Sequence, residues 1–176
     1  MTHSIRSVAP KVVRSAWEEI FNSNDPFVWP FRSQFLEGRL AYPTDGYHLT
    51  KEQFLAVSAA SKELGEEGFY LSVTESEGLS FLDRPWGHWL SNTSTYEKYA
   101  ELSLPLENAM YSRQGRWGAI VSHEMHALIA GPPRFLSALD ARYPSWEMDM
   151  NALRSDWPSG VDMDWLAQMT SMLRTG

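Results

Sequence analysis

Asn108-Ala-Met-Tyr-Ser112, Arg113-Gln-Gly-Arg116 and Trp117-Gly-Ala-Ile-Val-Ser122 form the stretch that decides the fold. Two short apolar runs flank four residues containing a glycine, which is a β-hairpin signature. Ala127-Leu-Ile-Ala130 adds a third run, and Gly131-Pro-Pro133 ends it and opens a helix through Leu139. Upstream, Gly68-Phe-Tyr-Leu-Ser-Val-Thr-Glu75 alternates, with Phe69, Leu71 and Val73 on one side and Tyr70, Ser72 and Thr74 on the other. That spacing predicts a half-buried strand. Tyr99, Leu102 and Leu104 read as a further strand, broken at Pro105. Such alternation implies one sheet face packed by helices and the other partly wet.

The flanks of this region are helical. Pro10 suits a first turn, and Val13, Trp17, Ile20 and Phe21 share one face of a helix over 10–22. Thr50-Lys-Glu-Gln53 is a capping box opening a helix to about Leu64, with Gly65 at its C-terminus. Between them, residues 27–49 are aromatic but carry Pro30 and Pro43 behind Pro26, so a packed loop is expected. A last helix starts near Asp164, with Trp165, Leu166, Met169, Met172 and Leu173 apolar on one side. Helices segregated around a meander predict an α+β fold. The antiparallel sheet would span about 68–130, packed by N-terminal and C-terminal helices, in a single domain over 1–176.

Composition narrows the function. The chain has 176 residues, 22 acidic and 15 basic side chains, a net charge of −7 and no cysteine. Zero Cys excludes a disulfide framework, a Cys-ligated metal and a thiol nucleophile. The acidic balance argues against a nucleic-acid partner, which requires clustered Lys and Arg. Met1-Thr-His-Ser-Ile-Arg6 has no apolar run behind a basic cluster, and no segment approaches the ~20 apolar residues of a membrane span. A cytoplasmic chain with no membrane partner is expected. Eight Trp are more than a small core easily hides.

Catalytic motifs are sparse. There is no Gly-x-Ser-x-Gly elbow and no phosphate-binding glycine loop, so no cofactor is expected. Ser122-His-Glu-Met-His126 approaches the His-Glu-x-x-His zinc motif but is one residue short. In one continuous strand His123 and His126 would point to opposite faces. In a hairpin turning at Glu124-Met125 they would face each other. A metal-dependent hydrolase using His123, Glu124 and His126 is therefore the alternative function. The competing reading is a polar turn between two strands.

Recognition surfaces carry the main expectation. Asp83-Arg-Pro-Trp86-Gly-His88-Trp89 sets Trp86, His88 and Trp89 on a stiff loop. Residues 144–164 hold Glu147, Asp149, Asp156, Asp162 and Asp164 against the single Arg154, together with Trp146 and Trp157. Rigid aromatics anchor protein interfaces and carboxylates steer a basic partner onto them. The bland alternative folds each Trp inward.

The segment Glu107–Gly131 resembles one in small bacterial α+β proteins, some of which look like immunity proteins of polymorphic or contact-dependent toxin systems. The residues that carry the resemblance are Tyr111-Ser112, Gly115, Trp117-Gly118, Ser122-His123-Glu124 and Gly131. It covers about 25 residues and speaks to a hairpin scaffold; it transfers no catalytic residue. The resemblance implies a small, cytoplasmic, non-catalytic toxin inhibitor whose acidic surface meets a basic toxin domain such as a nuclease.

Overall fold

The computed structural model describes residues 4–73, 87–104 and 106–173. In chain order the elements are β1 (Ile5–Ser7), α1 (Pro10–Glu18), β2 (Gly38–Ala41), α2 (Lys51–Glu63), β3 (Gly68–Val73), β4 (Gly87–Ser91), α3 (Tyr96–Ala100), β5 (Asn108–Ser112), β6 (Gly118–Val121), β7 (Ala127–Ala130), α4 (Pro133–Arg142), α5 (Trp146–Asp156) and α6 (Asp164–Met169). The strands form one antiparallel sheet in the order β1-β4-β3-β5-β6-β7-β2. The fold is α+β.

Local signals place several elements where the sequence predicts them. Thr50 and Gln53 close both halves of the capping box: the Thr50 N–H donates to Gln53 Oε1 at 2.9 Å, and the Gln53 N–H to Thr50 Oγ1 at 3.4 Å. Gly65 ends the helix at φ +77°, a conformation that disfavours any side chain. The β5–β6 hairpin pairs Asn108 with Val121 and Tyr111 with Gly118.

The sheet is covered on both sides, against the expectation of a wet face. Phe69, Leu71, Leu90, Met110, Ala119, Val121, Ala127 and Ile129 pack against α2, α3 and α4. There Phe54 stacks on Tyr99 at 4.5 Å, and Trp117 on Phe135 at 5.0 Å. Tyr70, Ala109, Tyr111, Ile120, Leu128 and Ala130 face the other way, toward α1, Phe21, Phe31, Phe35, α5 and α6. The Tyr111 hydroxyl on this buried face is satisfied on both sides. Tyr111 donates to the Val13 carbonyl at 3.0 Å, which leaves its oxygen to accept from Ser72 at 2.8 Å.

Two more expectations are corrected. Tyr99 lies in helix α3 rather than a strand, because Thr95 caps that helix, accepting from the Lys98 N–H, and Tyr99 reaches the Phe54 ring. The proline-rich stretch 27–49 contains an edge strand, β2, which pairs with β7 from Gly38↔Ala130 to Ala41↔Ala127. Its buried Arg39 grips Asp140 of α4 through two bonds of 2.8 and 2.6 Å, a partner 101 residues away. Residues 146–156 form helix α5, which packs on β2 and spans both layers. Trp146 enters the first core, and Met150 and Leu153 the second.

Candidate functional site

The turn between β6 and β7 is built by one buried carboxylate. Val121↔Ala127 is the last strand pair, and the Ser122 N–H donates to the His126 carbonyl at 2.8 Å. The chain reverses through His123, Glu124 and Met125, with Met125 at φ +60°, uncommon for a residue with a side chain. Glu107 lies behind it, 5% exposed. Its Oε1 accepts from Ser122 Oγ at 3.3 Å, from the His123 N–H at 3.3 Å and from His123 Nδ1 at 2.6 Å. Ser122 Oγ in turn accepts from the Glu124 N–H at 3.0 Å.

The two imidazoles part at this turn. His123 is half-exposed, with Nε2 3.2 Å from Glu124 Oε1. His126 is fully buried, and its Nε2 donates to the Pro26 carbonyl at 3.0 Å. A carbonyl only accepts, so in the neutral ring that bond puts the proton on Nε2 and leaves Nδ1 a bare acceptor. Burial pushes the His126 pKa below the usual imidazole value, with the Pro26 and Glu124 carbonyls and the Glu107 and Glu124 carboxylates opposing it more weakly. Among the described residues, no three His, Asp or Glu side chains are placed to hold a metal ion.

Pro26 leads to the residue that organises the face. An Asx turn, with the Phe27 N–H on Asp25 Oδ1 at 2.8 Å, fixes the Phe27 loop. The Phe27 ring stands edge-on to His126 and Trp165, each at 5.3 Å, to Trp157 at 6.3 Å and to His123 at 6.4 Å. Trp157 caps the C-terminus of α5, and Trp165 lies in the first turn of α6. Their rings meet at 5.6 Å, and Trp165 lies 5.1 Å from His126. Three distant segments are thus joined through one ring. Phe27, Trp157 and Trp165 are half-exposed, while Val28, Met125 and Val161 stand exposed on the same segments. So do the carboxylates of Asp25, Glu124, Asp156, Asp162 and Asp164.

The residues proposed from sequence divide accordingly. Asp156, Trp157, Asp162 and Asp164 lie on this face or its bordering segments. Asp156 accepts from the Tyr42 hydroxyl at 3.1 Å, and Asp162 accepts from the Asp164 N–H at 2.7 Å. Trp146 and Asp149 are corrections. Trp146 is 3% exposed and packs on Tyr143 at 4.7 Å, so no partner reaches it. Asp149 is also buried, accepting from the Tyr42 N–H and the Tyr143 hydroxyl, both at 2.9 Å. It ties α5 to β2, and desolvation raises its pKa.

Trp86 lies outside the described residues. His88 and Trp89 are half-buried in β4 rather than on a loop. Trp89 carries Arg6 over its ring at 5.9 Å and contacts Tyr70 at 5.6 Å, while burial lowers the His88 pKa. Strands β3, β5 and β6 separate β4 from β7, so this second surface does not merge with the Phe27 face. Phe27, Met125 and Trp165 are the contributors that sequence reasoning missed. The Asp25-Pro26 turn signal marked the loop, but nothing local tied it to a hairpin 100 residues later. No family model, no curated protein and no solved structure matches the chain.

Proposed function

We propose that this chain is a non-catalytic, cytoplasmic binding protein that neutralises a basic protein partner, a bacterial toxin domain, by seating it on the Phe27 face. The single observation that carries this reading is the junction at Phe27. It joins half-exposed Trp157 and Trp165, and the segments that meet there carry exposed Val28, Met125 and Val161 and five exposed carboxylates. Such a combination suits a cationic partner. Rigid rings desolvate cheaply and supply anchors, and the surrounding acids raise the rate of encounter. The same charges repel nucleic-acid phosphates, while a nuclease cleft, shaped to hold phosphates, would present the opposite sign. No helix among the described residues is long and apolar enough to cross a membrane. A hydrolase built on His123, Glu124 and His126 would need His126 to leave its buried bond to Pro26.

The test is stopped-flow association with any basic toxin-like domain encoded beside this chain's gene. Asp156→Lys with Asp162→Lys should slow association roughly tenfold or more at low salt, with a smaller effect at high salt. Failure of that toxin domain to bind, or a charge reversal that leaves the association rate unchanged, overturns the reading.

A further inference from the structure

We propose that His126 is a proton-sensitive latch for this face: its neutral imidazole pins the Phe27 loop and Trp165 to the β6–β7 turn, and protonation releases them while the sheet stays folded. The latch regulates the binding surface proposed above, and its use by a partner rests on that reading. Its existence is a property of the unbound chain.

The polar bookkeeping of the cluster is unusual. His126 Nδ1, Trp157 Nε1 and Trp165 Nε1 are all buried with no well-formed hydrogen bond among the described residues. Orphaned buried polar atoms are few in native structures and each costs stability. Ring packing holds the cluster, and among the described residues the hydrogen bond that ties the Phe27 loop to the turn is His126 Nε2 to the Pro26 carbonyl. Opening it would hydrate all three orphaned nitrogens, so the closed form starts with a handicap.

A proton on Nδ1 adds to that handicap. The new N–H would sit on a fully buried ring packed against Phe27 and Trp165. The groups facing it can be named from each side. The turn presents the Glu124 carbonyl and carboxylate, β5 is preceded by the buried Glu107, and the loop presents the Pro26 carbonyl, all of which favour the charge. From the 157–165 segment the Trp165 ring faces it at 5.1 Å. Burial outweighs the favourable groups.

The sign follows. A histidine that binds its proton more weakly when closed leaves the closed form favoured above its open-state value, near ~6.5, and progressively disfavoured below it. Opening increases by up to about tenfold for each pH unit below that point. The moving parts are loop and helix-end segments. Leu128 and Ile129, next in the strand, remain fully buried in the two cores.

The experiment is ¹⁹F NMR of the full chain labelled with 5-fluorotryptophan, between about pH 7.5 and about pH 5. Trp157→Phe and Trp165→Phe assign the two reporters, and the fully buried Trp117, in the opposite core, serves as the internal control. The expected result is movement of both reporters toward exposed shifts as pH falls, with Trp117 unchanged, and no transition in His126→Phe. His88 also titrates low, but three strands away, and persists in that variant. Static reporters, a Trp117 signal that moves with them, or a transition that survives His126→Phe each overturn the proposal. Should His126→Phe fail to fold, the His126 ring proton signal in the parent chain decides. A midpoint that does not coincide with that of the indoles overturns it. Because no partner is present, a failed toxin interaction leaves this outcome untouched.

Discussion

Replacing Glu66 by Ala tests whether the hairpin is anchored as the geometry indicates. Glu66 follows the glycine that ends α2 and is 6% exposed. Its Oε1 accepts from Ser112 Oγ at 2.5 Å and from Arg116 Nε and Nη2 at 3.1 and 3.0 Å. Its Oε2 accepts from Trp117 Nε1 at 3.1 Å and Ser61 Oγ at 3.3 Å. Removing the carboxylate orphans the Trp117 N–H and two buried hydroxyls, at about 1–3 kcal/mol for a donor that finds no substitute. The serines can rotate toward other acceptors, and Arg116 is a third exposed, so water relieves both in part. The sum is about 4 kcal/mol, within the range for breaking a buried charged pair. In a domain of this size that lowers Tm by roughly 8–16 °C. Glu66→Gln keeps the volume and lets the serines turn to accept from the amide, so it should cost about 1–2 kcal/mol. Urea unfolding followed by near-ultraviolet circular dichroism gives both values, with an unchanged m-value as the check on two-state behaviour. An Ala variant within about 1 kcal/mol of the parent, or a Gln variant as damaged as the Ala one, would refute the hub role.

Three other outcomes are expected. Phe27→Ala removes a half-buried ring that touches four others and should cost about 2 kcal/mol, while His126 titrates closer to its ordinary value, as read by ¹H NMR. In Gly118→Ala, the new Cβ would meet Phe21 Cζ at 2.6 Å and Ile20 Cγ2 at 2.7 Å; a loss of about 1–3 kcal/mol in urea unfolding is expected. Burial raises the Asp149 pKa, so the folded chain holds that proton more tightly than the unfolded one. Its contribution to stability is present below the unfolded value near ~3.9 and is lost as pH rises through the raised folded value. Asp149→Asn, which can still accept from Tyr42 and Tyr143, should flatten that part of the stability–pH curve. An unflattened profile would remove burial as the cause.

Legibility in the sequence tracks the range of the interaction. The Thr50–Gln53 box and the 113–116 hairpin loop are decided by neighbours within a few residues, and both are as read. Tyr99 was misread because three apolar residues near a proline fit a strand as well as the short capped helix it occupies. Arg39 to Ala41 of β2 offered no alternation to detect, since a strand buried on both faces has no wet side.

The candidate site divides in the same way. Asp156, Trp157, Asp162 and Asp164 are proposed because excess charge concentrates visibly in one window, and the structure leaves all four exposed or half-exposed. Trp146 and Asp149 were included for the same reason and are buried, because composition carries no direction. A helix turns by about 100° per residue, so α5 sends Trp146 to one core and Met150 to the other while exposing Glu147 and Met148.

By itself, then, the sequence determined the α+β class, the capped helix α2, the β5–β6 hairpin and an acidic C-terminal third, all set by local backbone preference and composition. Only the tertiary structure decided that the sheet is buried on both faces, that β2 closes one edge and that Phe27 meets His126 and Trp165. The physical reason is that apolar burial has no direction along the chain. Many partners would satisfy a given aromatic ring, and the one it meets is chosen by how all the layers pack together.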